Sequence, residues 1–117
     1  MTDFDRTSIK EFSKELKKLK VRHIEKDLAV FEKAFEQDKE RLTGLVQIPE
    51  LEKKGVTIPI YKATKFRCKS MNMGSRSGIR LIFAYSVEED KVTYIETYKK
   101  NNKENNDENR ILKYFQN

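Results

Sequence analysis

The spacing of the hydrophobic residues changes once along the chain, and that change separates two kinds of structure. In residues 8–19 the apolar positions Ile9, Phe12, Leu16 and Leu19 recur at three- and four-residue intervals, and Ile24, Leu28, Phe31 and Phe35 do the same further on. This is the spacing of one face of an α-helix. From Ile60 onward the interval becomes two, with Phe66 and Cys68 alternating with Lys65, Arg67 and Lys69. Residues 79–85 and 92–98 are β-prone runs in the same half. Helices gathered at one end of a sequence and strands at the other predict an α+β fold.

Thr7 or Ser8 is placed to cap the first helix, with Glu11 completing a capping box. Lys20, Val21 and Arg22 join the two helical stripes without Gly or Pro, so one long helix and a tight hairpin are both open. The hairpin is favoured, because a single long helix leaves its apolar stripe uncovered. The second stripe runs out near Leu42, and Gly44 is its natural stop. Pro49, Gly55 and Pro59 mark residues 45–59 as a connector.

Three strands, over residues 60–70, 79–85 and 92–98, are linked by the turn-rich segments 72–78 and 87–91. Short links of this kind predict an antiparallel meander. Residues 99–106 read as a polar loop. Asn105 can cap a last helix, with Glu108 three residues on and Ile111, Leu112 and Phe115 as its apolar side. The expected architecture is a single domain over residues 1–117. An N-terminal helical hairpin packs on one face of a three- to four-stranded antiparallel sheet, followed by a short C-terminal helix. The other face of the sheet would then be free and would carry Lys65, Arg67 and Lys69.

Charge is distributed unevenly. Residues 1–44 carry 11 basic and 10 acidic side chains, whereas residues 45–117 carry 14 and 9. Between Tyr61 and Arg80 stand Lys62, Lys65, Arg67, Lys69, Arg76 and Arg80 with no acid among them. A one-sign stretch attracts a polyanion, of which nucleic acid is the commonest, and an acidic protein is the other reading. The N-terminal residues 1–6 are polar and acidic, and no apolar run approaches the roughly 20 residues that cross a bilayer. We therefore expect a cytoplasmic protein with no membrane partner.

Several chemistries are excluded by residue type. Cys68 is the only cysteine, which rules out an intramolecular disulfide and a cysteine-based metal cluster, and its place beside Phe66 reads as core. His23 is the only histidine, so a nuclease built on a histidine pair is excluded. No metal-ligand spacing and no glycine-rich phosphate loop is visible, and no cofactor is expected. Asp107 and Glu108 most simply serve a helix N-terminus. What remains is the cluster of cations. An arginine fork can stabilise charge on a phosphate in transfer, and a lysine crowded by other cations can lose its proton and act as a base. Metal-free RNA cleavage and simple binding both stay open on these residues.

The segments Tyr61-Lys-Ala-Thr-Lys-Phe-Arg-Cys-Lys-Ser, Gly78-Ile-Arg-Leu-Ile-Phe-Ala-Tyr and Val92-Thr-Tyr-Ile-Glu-Thr-Tyr-Lys-Lys, in that order, resemble the RelE/ParE toxin superfamily. The resemblance covers nearly the whole chain and implies a toxin of a type II toxin–antitoxin system. In its ribosome-dependent members, Lys and Arg on the central sheet cut mRNA in the ribosomal A site. By position, Arg80 matches the arginine that stabilises the scissile phosphate, Arg67 and Lys69 match the basic pair on the preceding strand, and Lys69 is the candidate base. Lys103 stands in place of an arginine beyond the last strand. Lys65, Arg76, Lys99 and Lys100 are the implied RNA-binding residues. No tyrosine matches the family's late position, since Tyr98 falls before it and Tyr114 lies inside the last helix. The resemblance also implies an acidic, partly disordered antitoxin as partner. The branch resembling ParE, which poisons gyrase without cutting RNA, is an alternative, as is a non-catalytic binding module.

Overall fold

A computed structural model describes residues 1–38, 44–68, 77–103 and 105–117. The chain begins with a strand, β1 (Asp3–Asp5), ahead of helices α1 (Lys10–Lys18) and α2 (Ile24–Gln37). Strand β2 (Leu45–Gln47) follows, then a 3-10 turn (Glu52–Lys54), β3 (Ile60–Ala63), β4 (Ile79–Ser86), β5 (Lys91–Lys99) and α3 (Glu108–Phe115). The sheet has five strands in the order β1-β5-β4-β3-β2. Its first strand is parallel to β5, whereas β2–β3, β3–β4 and β4–β5 are antiparallel.

The α+β class is as expected, but the order and the sheet are not. A helix-first chain with three or four antiparallel strands is replaced by a strand-first chain with a mixed sheet. Both extra strands are only three residues long, too short to show a period of two. β1 lies in the polar N-terminus; Phe4 is its one apolar side chain and packs edge-on against Phe35 at 5.8 Å. β2 lies within the expected connector and pairs with Tyr61–Ala63. The strand expected over residues 60–70 ends at Ala63. Leu42, Lys69, Arg76 and most of the 72–78 turn lie outside the described residues.

Two helices form in place of one, because Lys20 and His23 both adopt left-handed backbone, with φ of 52° and 62°. That conformation ends an α-helix after one residue. The expected capping box at α1 does not form, and Ile9 is the N-cap with no side-chain bond. Instead the Asp5 carboxylate, at the end of β1, accepts from the backbone N–H groups of Thr7 and Ser8 at 3.0 and 2.9 Å, and from the Ser8 hydroxyl. At α3 the cap is Asp107, not Asn105, and its carboxylate accepts from the Arg110 N–H at 3.1 Å.

Helices α1 and α2 cover one face of the sheet. Phe12 stacks on Tyr94 at 5.0 Å, and Phe35 meets Phe83 and Tyr85 edge-on at 5.7 and 5.2 Å. Each fully buried aromatic of this kind is worth about 1.5–3 kcal/mol of transfer free energy. The opposite face is not free. Helix α3 is tied to it at the start, where the Asp107 N–H donates to Glu96, and its far end meets the connector, where the Asn117 N–H donates to the Gly55 carbonyl. Leu51, Val56 and Ile111 are buried there. The end of this face away from the connector carries Arg80, half-buried, and Tyr98, buried.

Among the described residues, no strand flanks β5 on its outer side beyond Thr93. A bare edge of that kind is a template for stray pairing. Here side chains close it: Glu15 of α1 accepts from the Thr97 N–H at 3.3 Å, and Arg110 of α3 donates to the Ile95 carbonyl at 2.9 Å. The two also bond to each other, with N–O distances of 2.7 and 2.9 Å.

Candidate functional site

Arg80 is the second residue of β4 and points to the face opposite α1 and α2. Its guanidinium donates to the Thr64 carbonyl at 2.6 Å, which fixes it against the segment just past β3. No described acid pairs with it, and the rest of its five-donor fork is uncommitted. Just beyond Thr64, Phe66 packs on Phe31 of α2 at 6.0 Å and Cys68 is buried, while Lys65 and Arg67 are exposed. The alternation expected for this segment therefore holds at these four residues, beyond the end of β3 at Ala63 and with an isolated bridge at Cys68. Gly44 makes room for Lys65: a Cβ there would stand 2.7 Å from the Lys65 Cγ.

The residue directly opposite Arg80 is Tyr98. This pairing depends on a bulge. Phe83 faces Tyr94, but Ile82 faces Glu96, so Ile95 has no opposite number. Paired one for one from Phe83 and Tyr94, the hairpin would set Arg80 against Thr97 and turn Tyr98 to the helix side. One extra residue on a strand shifts everything beyond it by one place. The bulge thus sets both Tyr98 and Glu96 on Arg80's face.

Tyr98 is only 7% exposed, and its hydroxyl is the one buried side-chain oxygen or nitrogen among the described residues that has no hydrogen-bond partner. Its pKa is raised, mainly by burial and further by the Glu96 charge, with Arg80 opposing. Glu96 is fully buried. Its carboxylate accepts from the Asp107 N–H at 2.7 Å and from the Lys103 ammonium. A buried carboxylate is tolerable only with such partners. The same Lys103 Nζ stands 5.4 Å from the centre of the Tyr98 ring, a cation–π contact. Lys103 therefore reaches the site, but its charge is committed to Glu96.

Arg80, Tyr98, Glu96 and Lys103 come together, and Lys65 and Arg67 flank them along the segment that Arg80 grips. Lys99 does not join them: it follows Tyr98 on β5 and alternates to the other face, opposite Ile79. Lys100 lies exposed in the next turn, its N–H bonded to the Gly78 carbonyl at 2.8 Å. His23 is exposed at the start of α2, away from this cluster. Among the described residues no three His, Cys, Asp or Glu side chains are grouped to hold a metal ion. No described helix is long and apolar enough to cross a membrane.

No protein-family model, curated protein or solved structure matches the chain significantly. The sequence places Tyr98 before the family's late tyrosine position and singles out no role for Glu96, whereas the structure sets both on Arg80's face. Both sit at a spacing of two in β5, which is a visible signal. The step that sets them on Arg80's face is the bulge, and no residue at 94–96 announces it.

Proposed function

We propose that the chain is an RNA-directed toxin of the RelE/ParE type that cleaves mRNA on the ribosome without a metal. Arg80 carries this reading. It is a guanidinium anchored by one bond, free of any described acid, and set among exposed cations. A fork so held is prepared for the charge that builds on a phosphate during transfer. Arg67 and Lys65 extend the positive surface along the RNA, with Lys100 beyond the hairpin end. Lys69, the proposed base, lies outside the described residues, as does Arg76. An acidic, partly disordered antitoxin and a cytoplasmic location complete the proposal.

A second reading, in which the face binds RNA without cutting it, is favoured by Lys103. Its ammonium is already paired with a buried carboxylate, so one of the four proposed catalytic cations is engaged elsewhere.

Induced expression with primer extension on a reporter mRNA separates these. The nuclease reading expects growth arrest with ribosome-dependent cuts, reduced about a hundredfold or more in Arg80→Ala. Salt-sensitive RNA binding with no cuts supports the binding module. Arrest without cuts moves the target to gyrase or another machine.

A further inference from the structure

We infer that Arg80, Tyr98 and Lys103 form a subsite for one RNA phosphodiester group, and that Glu96 holds Lys103 in place of that group until it arrives. The inference rests on the RNA-directed reading of this face.

Three donors meet at Tyr98, and of these only Lys103 has an acid for partner. The phenol hydroxyl is buried and unpartnered, which native interiors seldom leave unexplained. Arg80, across the strand pair, spends one N–H on Thr64 and has no described acid. Lys103 lies over the phenol ring and is satisfied only by Glu96. Glu96 lies near enough for its charge to raise the Tyr98 pKa, yet it accepts from Lys103 and from the Asp107 N–H and not from the phenol. The surplus of donors over acceptors fits an anion. Exposed Lys65, Arg67 and Lys100 around the site fit an anion that belongs to a chain of them.

The Glu96–Lys103 pair has the asymmetry that a latch requires. Glu96 is 0% exposed and fixed by α3, whereas Lys103 is 39% exposed and sits in the loop after β5. Only Lys103 is free to leave. An incoming phosphodiester competes with the carboxylate for that ammonium, and as Lys103 turns outward the phenol beneath it is uncovered. Tyr98 then donates to the same oxyanion as Arg80.

The test measures binding of a fluorescent single-stranded RNA carrying 2′-O-methyl groups throughout, which cannot be cleaved, to the full chain and two variants. Tyr98→Phe removes one unpartnered oxygen atom. It should weaken binding about tenfold, the value of a hydrogen bond to a charged group, while the unfolding temperature stays level or rises. Glu96→Gln keeps an acceptor for the Asp107 N–H but releases Lys103, and should tighten binding severalfold. A role for Glu96 in folding alone predicts the opposite sign. If Tyr98→Phe binds as the wild type does, or if folded Glu96→Gln binds no better, the inference is overturned and the RNA-directed reading survives. If neither wild type nor variants bind RNA, both fall. Binding that responds as expected in a chain that makes no cuts keeps the subsite and removes the nuclease. Should Glu96→Gln fail to fold, the Tyr98→Phe arm decides alone.

Discussion

Arg110 shows how much one side chain can hold at the residue scale. It is 10% exposed, it bonds both oxygens of Glu15, and it closes the β5 edge at Ile95. Arg110→Ala leaves the Glu15 carboxylate half-buried without its partner and reopens that edge, so a loss of about 3 kcal/mol is expected in urea unfolding. Phe12→Ala removes the ring stacked on Tyr94 and should cost about 3–5 kcal/mol by the same measurement. Residues such as Phe12, Phe35 and Cys68 were legible in the sequence because they fall on one phase of a period and have only to be inside. Asp27 was not. It is buried on α2 and accepts from the Cys68 thiol at 3.2 Å, a pairing between residues 41 apart that no local pattern reveals.

Elements depend on turns and caps that side chains outside them supply. The left-handed His23 that starts α2 makes no side-chain cap bond, so His23→Gly should relieve strain and raise stability by up to about 1 kcal/mol. Asp5 anchors the start of α1. Burial pushes its carboxyl up, but the Ser8 hydroxyl, the Thr7 and Ser8 N–H groups and Lys91 together hold it below the ordinary carboxylate range. Because the folded value is depressed, this stabilisation is present above the ordinary carboxylate pKa and is lost as pH falls through the folded one. Asp5→Asn should therefore be less stable than the wild type in urea at neutral pH and equal to it in strong acid. Helix and strand types were legible over the long amphipathic stretches, whereas β1, β2 and the true caps were not. Three-residue strands exist only through their partners, and the Asp5 cap comes from the end of a strand that was itself unseen. The bulge was equally hidden: with Ile95 in the chain, it alone keeps Tyr98 opposite Arg80.

At the scale of the whole molecule, Arg80 grips the segment that carries exposed Lys65 and Arg67, whereas Lys99 turns to the other face. RNA binding should then weaken steeply with salt. Arg67→Ala should lower the slope of log affinity against log salt by about 0.7, the share of one phosphate contact on a single strand. The fold class was legible at this scale, but the closure of the sheet was not. Nothing in the sequence says that the first strand lies beside the last. That adjacency has a consequence for synthesis. While the chain is being made, β1 has no neighbour until residues 91–93 exist, and α1 and α2 emerge with no sheet to cover. Arg80 likewise waits for Tyr98. A nascent product that stops short of β5 therefore cannot set Arg80 and Tyr98 side by side, and the pair exists only once the last strand has been delivered.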